Sequence, residues 1–60
     1  MPEYGIALSD QYGQWVGPTR RIFAADDGDA IRRATSLVVE GLKLEVWDRE
    51  FERFIGRLPD

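Results

Sequence analysis

Carboxylates are the only conventional acid–base groups that this 60-residue chain holds in number. It has eleven Asp and Glu residues, no histidine and no cysteine. Asp10, Asp48, Glu50 and Glu52 lie near expected turns, where a carboxylate pair acting as general acid and base would need a cleft to hold substrate and shift a pKa. A domain of this size offers little concavity. Ser9 and Ser36 have no imidazole to activate them. Neither a G-x-x-x-x-G-K phosphate loop nor a G-x-G-x-x-G fingerprint is present. The expectation is therefore a protein that is not an enzyme and takes no cofactor.

Asp26, Asp27 and Asp29 form an acidic cluster of oxygen ligands suited to a hard cation. They lack the spacing and the distal Glu of an EF-hand loop. Helix capping accounts for the same three residues, so no metal site is expected. Arg20-Arg21 and Arg32-Arg33 are candidate nucleic-acid contacts, with Phe23 or Tyr12 as a stacking platform for single strands. The neighbouring aspartates and a net charge of −3 weigh against that reading.

These residues must be positioned by a very small fold. A chain of this length buries only roughly 60% of its unfolded surface, so its core is marginal. Small domains add disulfides, a metal or a partner chain. With cysteine and histidine absent, association is the remaining support. The hydrophobic fraction of 43% is that of a globular domain. No stretch approaches the ~20 apolar residues of a membrane span, and Met1-Pro2-Glu3-Tyr4 does not resemble a signal peptide. A cytoplasmic protein is expected, and the lack of cysteine fits a reducing compartment. Seven of the eight basic residues are arginine, which favours fixed or stacked contacts.

Alternation of Tyr4, Ile6 and Leu8 predicts a strand with one apolar face, opposite a nearly bare Gly5 and Ala7. Ser9 to Gly13 is turn chemistry. Trp15 and Val16 begin a return strand that Gly17-Pro18 interrupts as an edge, bulge or bend. Strand character resumes from Thr19 to Ala25, with Ile22 and Ala24 on one face and Arg21 and Phe23 on the other. Asp26 or Asp27 caps a helix running to about Glu40. Its apolar stripe is Ala30, Ile31, Ala34, Leu37 and Val38, and Gly41 is its left-handed cap. Asp29 and Arg33 are spaced as a favourable ion pair. Leu42 to Trp47 is a third strand. Asp48-Arg49-Glu50 is a turn. Phe51 to Leu58 is the last strand, with Phe54, Gly56 and Leu58 on one row and Arg53, Ile55 and Arg57 on the other. The predicted class is α+β: a ββαββ chain, 1–60 in one domain, forming a four-stranded, mostly antiparallel sheet with one helix packed on one face. The crossover helix allows the third strand to lie parallel beside the first, in the order 2-1-3-4, although no residue demands it.

Phe23-Ala24-Ala25-Asp26-Asp27, the helix of the Asp29-Ala30-Ile31-Arg32-Arg33-Ala34 kind, Leu44-Glu45-Val46-Trp47-Asp48 and Phe54-Ile55-Gly56-Arg57-Leu58-Pro59 together resemble short uncharacterised alphaproteobacterial proteins. The likeness covers most of the chain and departs at Trp15 to Pro18. It implies the ββαββ order and a bacterial cytosol, and no activity.

One helix leaves the other sheet face open, and that face should be polar in a monomer. Here it is expected to carry Trp15, Phe23, Trp47 and Ile55 among arginines, the composition of an interface. The resulting expectation is a non-catalytic interaction module that forms a homodimer through this face or an edge strand. The alternatives are a small single-stranded nucleic-acid-binding regulator and an antitoxin-like or adaptor domain acting with another protein.

Overall fold

The computed structural model describes residues 2–59. Strand β1 (Glu3–Ser9) is followed by β2 (Arg20–Phe23), helix α1 (Asp27–Ala34), a 3-10 turn (Thr35–Leu37), β3 (Lys43–Asp48) and β4 (Phe54–Leu58). This is the expected ββαββ α+β fold. The sheet order is β2-β1-β3-β4, and every neighbouring pair is antiparallel. The parallel pairing of the third strand with the first is thereby corrected. The first hairpin reverses β2 relative to β1, and the helical crossover returns β3 in the direction of β2. With β1 between them, both flanking strands oppose it.

Alternation sets the two faces. Tyr4, Ile6, Leu44 and Val46 are buried on the helix side with Ala24, Ala30 and Ala34. Gly56 also faces the helix, and it lets α1 approach closely. A Cβ there would stand 2.8 Å from Cδ1 of Ile31. Asp26 caps α1, its carboxylate accepting from the Asp29 N–H at 2.8 Å. Asp29 reaches back one residue beyond the cap and accepts from the Ala25 N–H at 2.9 Å. Its carboxylate also holds Arg32 and, at 2.9 Å, Arg33.

The helix ends well before Glu40. Thr35 Oγ1 donates to the Ile31 carbonyl and Ser36 Oγ to that of Arg33, both at 3.0 Å. Such back-bonding and the β-branched pair Val38-Val39 weaken a helix, and Val38 is already extended. Gly41, at φ +86, therefore serves the turn from Val39 to Leu42 that enters β3, not a helix end. Gly17, at φ +74, makes a bend between the Trp15 bridge to Ser9 and β2.

The last strand begins later than expected and contains an irregularity. Phe51, with φ +58, sits in the β3–β4 turn. Asp48 closes that turn, accepting from the Glu52 N–H at 2.8 Å. Val46 pairs with Gly56 and Trp47 with Phe54, so Ile55 is the extra residue of a bulge. A bulge shifts the alternation of every residue on one side of it. Ile55 consequently packs against the helix-side core, and Phe54 takes the opposite face beside Trp47. The expected rows of this strand are corrected accordingly.

Candidate functional site

The helix-free face has a floor of small residues. Gly5, Ala7 and Ser9 of β1 project to this side, and all three are buried. Rings from two loops cover them. The β1–β2 connection brings Trp15 over the sheet, and the β3–β4 turn brings Phe51 onto Gly5. Trp15 and Phe51 lie 5.5 Å apart between ring centres, Trp15 and Trp47 6.4 Å, and Trp47 and Phe54 5.3 Å. The last two pairs meet edge to face, a favoured aromatic geometry.

Glu45 lies beneath this cluster and is only 6% exposed. Its Oε1 accepts the indole N–H of Trp15 at 3.2 Å and that of Trp47 at 3.0 Å. Its Oε2 is 3.7 Å from Nη2 of Arg57, whose guanidinium stands 5.6 Å from the centre of the Phe54 ring. A buried carboxylate needs such partners, and it uses the polar end of both indoles. What Trp15 still shows to solvent is therefore apolar ring.

Three of the face's aromatics keep large exposed areas: Phe23 at 58%, Trp15 at 48% and Phe54 at 45%. Of the sequence-predicted set, Trp15 and Trp47 come together here. Phe23 lies on the same face at the β2 edge, since its partner Glu3 flanks Gly5 in β1. Ile55 belongs to the core. Phe51 and Phe54 complete the patch and were missed. The bareness of Gly5 was a usable signal for a ring above it.

A second polar constellation ties the start of α1 to β1 and the β3–β4 turn. Tyr4 donates its hydroxyl to Oδ1 of Asp27 at 2.8 Å, and Arg53 donates to Oδ2 of the same carboxylate at 3.2 Å. Arg53 and the Tyr4 hydroxyl hold the Asp27 carboxyl below its ordinary range. The hydrogen bond to Asp27, then burial, raises the Tyr4 phenol. Both shifts lead away from neutral pH, which suits a structural lock more than a proton-transfer pair. The open groove beside it, about 560 Å³, is lined by Pro2, Glu3, Tyr4, Phe23, Asp48, Arg49 and Arg53. It mixes both signs of charge, and its arginines face carboxylates.

The arginine pairs do not build one basic surface. Arg20 shares the helix side with Ile22, whereas Arg21 faces the other way and lies 3.8 Å from Glu3. Arg32 and Arg33 both clasp Asp29. Asp26, Asp27 and Asp29 act as cap, lock and clasp. Among the described residues, no group of three or more potential ligands is arranged to hold a metal ion, and no helix is long and apolar enough to cross a membrane. No protein-family model matches this chain, and no curated protein or solved structure matches it either.

Proposed function

We propose that this protein is a non-catalytic interaction module that self-associates through the helix-free face of its sheet. One observation carries the reading: Glu45 takes both indole N–H groups inward, so the half-exposed aromatics offer solvent an apolar surface with no polar demand of its own. A monomer gains nothing from such a surface. Arg21, Arg57 and Glu3 at its margins form the charged rim of an interface.

The face is favoured over the edges. At one edge, β2 is only four residues long, carries exposed Arg20 and Arg21, and follows Pro18. At the other, β4 carries the Ile55 bulge and is followed by Pro59. These are the usual guards against strand addition. Covering a half-exposed ring is worth about 1 kcal/mol, or about 6 kcal/mol over the six rings of a dimer. Association entropy costs roughly 4–15 kcal/mol. A weak homodimer follows, its occupancy set by concentration. We place its action in the cytosol, in keeping with a chain that has no cysteine.

Sedimentation equilibrium from micromolar to millimolar protein tests the reading. The expected result is a reversible rise in mass towards two chains, shifted to higher concentration in Phe54→Glu. A monomer throughout, or a dimer indifferent to that substitution in a variant of unchanged melting temperature, overturns it.

A further inference from the structure

Early termination of the helix leaves part of the other sheet face thinly covered. Below Ala34 the sheet is roofed only by the 3-10 turn and the segment after it. A notch of about 100 Å³ remains there, lined by Ile6, Leu8, Pro18, Leu37 and Val39, with Arg20 at its margin. Val39 is substantially exposed, and Leu8 is less buried than its neighbours in β1. This notch lies on the opposite side of the sheet from the aromatic patch, so it is independent of the proposed dimer.

Arg20 differs from the other six arginines. Each of those lies within 4 Å of a carboxylate. Among the described residues, Arg20 has no such partner, in a chain whose net charge is −3. An unpaired guanidinium beside an apolar notch is complementary to a carboxylate attached next to an apolar side chain. Volume narrows the ligand further. Small-molecule pockets typically span roughly 300–1,000 Å³, and a space one-third of the lower bound admits a single aliphatic side chain. Pro18 has no N–H and the β2 edge is short, so strand addition is disfavoured here.

We propose that this notch is a docking site for a partner peptide that presents one aliphatic side chain directly beside a carboxylate, the side chain seated among Leu8, Leu37 and Val39 and the carboxylate paired with Arg20. Single-anchor binding of this kind is weak and suits a transient contact.

The test is a titration of the ¹⁵N-labelled protein, followed by amide chemical shifts, with acetyl-Leu-Asp-amide to tens of millimolar. Acetyl-Leu-Asn-amide and acetyl-Ala-Asp-amide are run beside it. The expected result is saturable shifts confined to Leu8, Arg20, Leu37 and Val39, with about fivefold weaker binding for each control. Arg20→Gln should abolish the preference for Asp over Asn while leaving the spectrum otherwise intact. Equal responses to the three peptides, or none at these amides, overturn the proposal. So does movement of these amides on concentrating the protein alone, which would assign the notch to a second copy of the chain.

Discussion

Phe51 rests directly on Gly5, forty-six positions away in the chain, and its ring occupies the space that a side chain at Gly5 would take. A positive-φ aromatic in a turn and a glycine in a central strand are each unfavourable alone. Together they form one contact that anchors the β3–β4 turn on the sheet. Gly5→Ala should destabilise the fold by about 1–3 kcal/mol, because an added methyl overlaps the ring. In Phe51→Ala the same methyl should cost far less. Urea denaturation of the two single variants and the double variant gives the coupling directly. Additive losses would show that the ring does not depend on the bare position.

Glu45 is expected to act as the organising residue of the aromatic face. Glu45→Leu leaves two indole N–H groups without their acceptor and Arg57 without its partner. The loss should be about 1–3 kcal/mol, with a red shift of tryptophan emission as Trp15 leaves the sheet. Glu45→Gln keeps an acceptor oxygen and should retain most of the native emission. Similar spectra for both variants would contradict this role.

The aspartates make stability fall in acid. The Ala25 N–H, followed by Arg33 and Arg32, holds the Asp29 carboxyl far below its ordinary range. The Glu52 N–H lowers that of Asp48, and Arg53 and Tyr4 lower that of Asp27. A depressed native pKa means that the unfolded chain binds protons first as pH drops. The stabilisation is complete above the unfolded value, about pH 4, and is lost progressively below it. Melting temperature should thus be level near neutrality and decline below about pH 4. Asp29→Asn should flatten that decline. An acid limb unchanged in Asp29→Asn would refute the assignment.

Tyr4 gives the opposite sign at the alkaline end. Its raised phenol pKa means that the unfolded chain loses the proton first. Its contribution is complete below about pH 10 and lost as pH climbs through the native value. Tyr4→Phe should remove this alkaline component and leave the acid limb in place, except for the Asp27 share. Melting curves collected from pH 8 to 11 would reveal it.

Asp26 caps the one α-helix among the described residues, and Asp26→Ala should cost about 0.5–2 kcal/mol. In so small a fold that is a large fraction of the whole. Circular dichroism during thermal melting should show that loss, and a melting curve unchanged from the parent's would contradict the cap.

Those positions whose chemistry is local were readable from sequence. Alternation at Tyr4-Ile6 and Leu44-Val46, the stripe through Ala30 and Ala34, and an aspartate cap at Asp26 or Asp27 each follow from one repeat or one hydrogen bond. The positions that misled depend on competition or on distant partners. Thr35 and Ser36 look helix-compatible until their hydroxyls bond back to the carbonyls behind them. One extra residue at Ile55 inverts a row that simple alternation cannot see. Nothing local marks Glu45 as buried, because Trp15, thirty residues earlier, is what covers it. The orientation of β3 is a property of topology, with no residue to announce it.

The sheet order also has a consequence for synthesis. Its earliest strand is an interior one, and it stays half-paired until the segment up to Asp48 has left the ribosome. The hairpin with β2 can form early, but Trp15 then has neither Glu45 beneath it nor Phe51 beside it. Until the segment from Glu45 to Phe51 has joined the sheet the indole stays uncovered, so the closing of the aromatic face is a late event in folding.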